Sequence, residues 1–178
     1  MEFETLVKQR FSCRSFFIKK EIPDETIKGV IRLSQRAPSA GNLQALRLIL
    51  VKNRLTREKL AHAAGDQSFL AEAPIVVVVS AAPSISSTRY HERGRILYAI
   101  QDATIFAAYL QLACTNAGLA SVWVGAFSEE EVINILKLQV PVQFIERPIA
   151  LIAIGHCAED NIIPSKRIPI DQLVISVE

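Results

Sequence analysis

The sequence predicts an α+β protein, or a closely related α/β arrangement, built on a central sheet. Two observations carry that prediction. Four β-type runs, at residues 46–51, 75–80, 121–124 and 149–154, are spread among helical stretches along the chain. Half of the 178 residues are hydrophobic, enough for a sizeable core in one domain over residues 1–178.

Each element has its own local reason. Residues 2–8 read as a short helix. Arg10, Phe11, Ser12, Cys13, Arg14, Ser15 and Phe16 follow without helical period. Pro23, Asp24 and Glu25 open the next helix, because proline and acids suit a helix N-terminus. Ile27, Val30, Ile31 and Ser34 then keep an i, i+3, i+4 rhythm. Residues 37–44 form a loop dense in turn formers. Leu48, Ile49 and Leu50 make the first strand nearly continuous in apolar residues, and residues 56–64 read as a helix capped by Thr56. The β-branched run at 75–80 is the pattern of a strand buried on both faces. Residues 82–95, rich in serine and charge, read as a mobile loop. A long alanine-rich helix over 96–117 stops at Gly118, a suitable C-cap. The strand at 121–124 leads into Gly125, Ala126 and Phe127. Ser128 and Glu131 have the capping-box spacing, and Val132, Ile135 and Leu136 supply the apolar stripe that follows. The strand at 149–154 ends at Gly155. Residues 168–177 are apolar with little helical period, suited to adding a strand to a sheet edge or reaching onto a partner.

Composition narrows the function. The net charge is +2, charged residues are 21% and no block of like charge stands out, so no nucleic-acid partner is expected. The longest apolar run, residues 75–82, is far short of the about 20 residues that span a bilayer. The first residues lack the apolar stretch of a signal peptide. A cytoplasmic protein with no membrane partner is the expectation. Cys13, Cys114 and Cys157 are odd in number and lack CxxC spacing, so neither a disulfide framework nor a zinc site is expected. His156 beside Cys157 is too little for a metal centre. GxSxG, HExxH and Walker A motifs are missing, and His62, His91 and His156 have no motif around them. With no evident nucleophile or acid–base pair, the hard chemistry falls to a cofactor.

Four polar clusters stand apart from the core pattern. In an extended segment Arg10, Ser12 and Arg14 share one face, a plausible phosphate or carboxylate site. Taken alone, they read first as a solvated basic edge. In the loop Ala37-Pro38-Ser39-Ala40-Gly41-Asn42-Leu43-Gln44, Asn42 and Gln44 each donate and accept hydrogen bonds, as a flat heterocycle such as a flavin requires. An ordinary helix-to-strand connection is the alternative. Gly125, after Trp123 and Val124, lets backbone approach a ligand, or makes a simple turn. Lys166 and Arg167 form a basic pair near Pro169.

In this order the clusters resemble the nitroreductase family of FMN-dependent oxidoreductases. The N-terminal segment is similar to the family's R-R-S-x-R-x-F, and residues 37–44 to its A-P-S-A-x-N-x-Q. Asp102-Ala103 in the long helix, then residues 118–127, resemble its G-L-G-S-x-W-x-G-x-F stretch. Gly155, Arg167 and Pro169 match its C-terminal strand and phosphate-contacting arginine. The resemblance implies an α+β sandwich with a central mixed sheet flanked by helices. It also implies an intertwined homodimer with two FMN sites at the subunit interface. Arg10, Ser12 and Arg14 would hold the phosphate, ribityl chain and ring edge, with Arg167 joining at the phosphate. Ser39, Asn42 and Gln44 would reach the flavin of the partner. Val124 and Gly125 would lie near flavin N5, where a backbone N–H stabilises the reduced state.

There are departures. Phe11 replaces a basic residue, Ala45-Leu46 replaces the Pro-Trp that commonly follows the glutamine, and the chain is short for the family, which suggests a reduced lid. The implied activity is a ping-pong oxidoreductase with NADH or NADPH as donor and a small nitroaromatic or quinone-type acceptor. Residues 82–95 are the candidate lid: Tyr90 would stack on substrate, and Arg89, Arg93 or Arg95 would meet a nucleotide phosphate. The alternatives are a flavin carrier or sensor without turnover, or dehydrogenation, dehalogenation or flavin cleavage on the same scaffold.

Overall fold

The computed structural model describes residues 2–159 and 165–176. Its centre is a four-stranded sheet of β1 (Leu46–Val51), β2 (Ile75–Ala81), β3 (Ala120–Val124) and β4 (Arg147–Gly155), in the order β1-β2-β4-β3. The α+β expectation holds. The expected mixed pairing does not, because every neighbouring pair of these strands is antiparallel. Connectivity explains it. Val51 pairs with Val76, so the chain leaving β1 returns at the same end of the sheet. The chain leaving β3 likewise re-enters β4 near Leu151, the partner of Val124. Among the described residues, the parallel pairing is the isolated bridge between Ser12 and Ser121.

β2 is buried at every position, as its β-branched run requires. Val76 and Val78 face one core cluster, while Ile75, Val77 and Val79 face another. Leu60, Leu70 and Val132 cover the first face from α3 (Arg54–Ala63), α4 (Phe69–Glu72) and α7 (Glu129–Leu136). Ile27, Phe106 and Leu110 cover the second from α2 (Asp24–Ser34) and α6 (Ala99–Asn116). Ala99, Ala103 and Ala107 make a buried stripe at four-residue spacing, so the α6 backbone can lie close to the sheet. The stretch Pro83–Asn116 is long and apolar enough by composition to cross a membrane. In this fold the inner face of α6 is instead packed on β-structure. The short α1 (Phe3–Gln9) precedes these layers.

Three local expectations are corrected. Residues 82–95 are not a loop: α5 (Pro83–Arg93) occupies them, followed by a π-type turn over Gly94–Tyr98. Pro83 is pre-organised for a helix start, and the Glu146 carboxylate accepts from both the Ser84 N–H (2.8 Å) and its hydroxyl (2.5 Å). α3 begins two residues early, because the Asn53 side chain, rather than Thr56, caps it by accepting the Thr56 N–H at 3.0 Å. The tail forms the short, exposed α8 (Ile170–Leu173) rather than a strand, and residue 177 lies outside the described residues. The Ser128 cap holds, accepting from the Glu131 N–H at 3.3 Å.

Candidate active site

Residues 37–44 are ordered from within and from below. The Ser39 hydroxyl accepts the Gln44 N–H at 3.1 Å. Asp102, only 2% exposed on the buried side of α6, accepts the Ala40 N–H at 2.8 Å and the Ala45 N–H at 3.3 Å. Between those anchors Gly41 (φ 56°), Asn42 (φ 56°) and Gln44 (φ 49°) all adopt left-handed backbone. That conformation is uncommon without glycine, and its clustering is a mark of functional loops. The Asn42 and Gln44 side chains stand exposed and make no hydrogen bond among the described residues. A pocket of about 280 Å³ lies beneath, lined by Pro38, Ser39, Gln44, Arg47, Asp102 and Phe106 among others.

The candidate lid is a helix packed onto this loop. A Cβ on Gly41 would lie 2.5 Å from the Tyr90 hydroxyl and 2.9 Å from Arg89 Nη1. Tyr90 meets Tyr98 edge-on, with centroids 5.1 Å apart. Arg95 is paired with Glu92 at 2.8 Å, and Arg93 Nε donates to the Tyr98 hydroxyl at 2.9 Å. Arg89 lies over the Tyr90 ring at 5.5 Å. Gly41→Ala therefore meets both a crowded site and a left-handed backbone. It is expected to destabilise the protein by about 1–2 kcal/mol, a Tm fall of roughly 2–8 °C in a thermal melt.

The arginine segment lies along β3. Ser12 bridges Ser121, the Cys13 N–H donates to the Ser121 carbonyl at 3.2 Å, and the Arg14 N–H donates to Glu159 at 2.7 Å. Phe11 and Cys13 turn into the first core cluster, which leaves Arg10, Ser12 and Arg14 on the alternate positions. Neither guanidinium forms an ion pair among the described residues. Beside Ser12, the buried Ser121 hydroxyl has no hydrogen-bond partner among the described residues. Val124 is buried at the end of the same strand, and Gly125 follows, exposed. Arg167 lies in an exposed stretch, its Nη1 3.4 Å from the Lys166 carbonyl.

The register separates these groups. Ser121 pairs with Ile154 and Ile154 with Ile75, whereas Leu46 pairs with Ala81 at the far end of β2. At about 3.3 Å per residue and 4.8 Å between strands, residues 39–44 lie roughly 25 Å from Ser12, at the opposite corner of the sheet. Arg10, Ser12, Arg14, Val124 and Gly125 thus share one edge of the chain, and Ser39, Asn42 and Gln44 lie near the other.

Residues 7–67 and 60–156 match the model of the nitroreductase family. The chain belongs to the nitroreductase family. An NADH dehydrogenase from Thermus thermophilus is 28% identical over 202 aligned positions, covering 98% of this chain and 96% of its own. A nitroreductase family protein from Streptococcus pneumoniae superposes with a TM-score of 0.86 at 22% identity, covering 99% of this chain and 100% of the other. An iodotyrosine deiodinase from Hydra vulgaris is 21% identical, covering 99% of this chain and 73% of its own.

Two features of this chain escaped the sequence. Asp102 reads there as part of a helix and of the family resemblance, with no role assigned, and its part as anchor of the loop comes from contacts 57 and 62 residues away. The available signal was a carboxylate beside Ala103 and Phe106 on an apolar stripe, where an ionisable group needs partners. The other is the meeting of Cys13 with Cys157, 144 residues apart.

Proposed function

We propose that this chain, as one domain over residues 1–178, is an FMN-dependent oxidoreductase. It takes reducing equivalents from NADH or NADPH and delivers them to a nitroaromatic or quinone-type acceptor. The observation that carries the reading is the loop held by Asp102, whose left-handed backbone presents two uncommitted amides. Family membership supports the reaction class, and the name of the Thermus relative supports a nicotinamide donor.

The residues fit FMN. Arg10 and Arg14 are free of ion pairs among the described residues, and with Ser12 they offer charge-assisted contacts to a phosphate. Arg167 adds a third guanidinium. Ser39, Asn42 and Gln44 suit the mixed donors and acceptors of an isoalloxazine edge, and the Gly125 N–H suits its N5. Bound FMN would supply the hydride and electron transfer, with donor and acceptor taking turns in a ping-pong order. The protein's part is to bind, orient and exclude water. Tyr90 and Arg89, above Gly41, form the wall against which an acceptor would lie.

The roughly 25 Å between the two residue groups supports a homodimer in which Ser39, Asn42 and Gln44 complete the partner's site. Apolar residues left in solvent by a single copy agree: Phe3 is 72% exposed and Ile175 is 91% exposed.

The test is an absorbance spectrum of purified protein, then anaerobic titration with each nicotinamide. Flavin bands that bleach with NADH or NADPH and return with a quinone or nitroaromatic are expected. Colourless protein that fails to take up FMN would end the reading. Flavin reduced by dithionite alone would favour a carrier or sensor. The deiodinase relative favours one further reading, reductive dehalogenation, which halide release from a halogenated phenol would reveal.

A further inference from the structure

We propose that Cys13 and Cys157 are an oxidisable thiol pair, which a peroxide converts into a disulfide clipping residues 10–14 to the end of β4. The two sulfurs stand 2.8 Å apart. Backbone contacts, rather than side-chain rotamers, bring them together. Phe16 bridges Cys157, the Ala158 N–H donates to the Ser15 carbonyl at 2.9 Å, and the Phe17 N–H donates to the His156 carbonyl at 3.0 Å. The Arg14 N–H bond to Glu159 fastens the same two segments. These contacts hold the two segments together, and the sulfurs need close only from 2.8 Å to the about 2.0 Å of a disulfide.

The two sulfurs are not equivalent. Cys13 is fully buried, and its one thiol hydrogen has two acceptors, the Ser15 carbonyl at 2.9 Å and the Cys157 sulfur. Burial, aided by that contact with Cys157, pushes the Cys13 thiol up to about 12. Cys157 is half-buried, and its sulfur accepts the Glu159 N–H at 3.4 Å. Cys157 is therefore the group that meets the oxidant. The Cys157 thiol gives up its proton, the sulfur attacks one peroxide oxygen, the O–O bond breaks, and a sulfenic acid forms while the departing hydroxide takes up that proton and leaves as water. The Cys13 sulfur then attacks the sulfenic sulfur. Its proton and the sulfenic hydroxyl leave as a second water, so hydrogen peroxide is reduced by two electrons and the pair is oxidised by two. Cys114, buried on α6 with its thiol also pushed up to about 12 by burial, stays reduced.

Glu159 lies within 4.8 Å of both sulfurs, so a metal is the rival occupant. Its carboxylate already accepts the Arg14 N–H. Zinc normally takes four ligands, and among the described residues the cluster offers three.

Purified protein is treated with stoichiometric hydrogen peroxide, denatured, and assayed by thiol titration and peptide mass mapping. Titratable thiols should fall from three to one, with a peptide cross-linked from Cys13 to Cys157 that dithiothreitol splits. Cys114→Ser should leave the cross-link intact, and Cys13→Ser should abolish it and let Cys157 oxidise further. The oxidised protein should melt roughly 5–15 °C higher, because a long loop is closed in the unfolded chain. Three thiols remaining after treatment would overturn the proposal. So would Cys157 reaching sulfinic acid in the unsubstituted protein, or one zinc per chain shielding both thiols. One consequence rests on the proposed function: a fastened Arg10–Ser12–Arg14 segment should release FMN several-fold more slowly. A cross-link without that slowing would leave the thiol pair standing and count against the flavin role of the segment.

Discussion

Replacing Arg10 and Arg14 together by alanine should weaken FMN binding by about 10²- to 10⁴-fold. The magnitude follows from two lost hydrogen bonds between charged groups, each about 1.5–3 kcal/mol, at about 1.4 kcal/mol per factor of ten. Little stability should go with them, because neither guanidinium holds an ion pair among the described residues. Lysine at both positions should recover part of the affinity, since it keeps the charge and loses the planar fork. Flavin fluorescence quenching gives the Kd, and a melt run beside it separates lost binding from lost fold. An unchanged Kd would remove the phosphate role of this segment. The same variant tests the dimer. Mixed with protein carrying Asn42→Ala and Gln44→Ala, it should regain one intact site per heterodimer if each flavin is served by both copies. If one copy serves each flavin alone, mixing restores nothing.

Most of the scaffold was legible because its signals are local. A β-branched run with both faces buried can only be an inner strand, and β2 is one. The breakers around residues 37–44 announced a loop, and Ser128 announced its helix. What stayed hidden depends on distant partners. Residues 82–95 have the serine and charge of a loop, yet fold as α5 with Glu146, 62 positions away, fixing its start. Its charges mark the solvent face of a helix rather than disorder. Glutamine is no turn former, so nothing local foretold a left-handed Gln44. Asn53 and Thr56 are both good caps, and sequence alone chose the wrong one by three residues. Cysteine spacing missed Cys13 and Cys157 because only the fold brings them together. The candidate site residues stand out by type, and the family resemblance already assigns Ser39, Asn42 and Gln44 to the partner's flavin, whereas their distance from Ser12 required the strand register.

Asp102→Ala should be the most damaging single change to the loop. The carboxylate accepts from Ala40 and Ala45, and Ala45 is fully buried. Removing it leaves two backbone N–H groups without partners, for about 3–5 kcal/mol in total, or a Tm fall of roughly 6–20 °C. Asp102→Asn should lose about half as much, because its carbonyl still accepts while its amide presents donors to donors. The functional effect should exceed the thermal one. Left-handed backbone at Asn42 and Gln44 persists only where surrounding bonds over-determine it, and Asp102 supplies two of those bonds. Without them both residues relax toward ordinary backbone and their amides leave the positions a flavin ring would need. FMN affinity should therefore fall more than about 10-fold at temperatures where far-ultraviolet circular dichroism still reports a folded chain. If Asp102→Ala melted at the original temperature and kept its FMN, the loop would be held by its own turn chemistry. Asp102 would then be only a tolerated charge in the core. The geometry argues otherwise, because a buried carboxylate on an alanine-rich helix face is retained only where its partners need it.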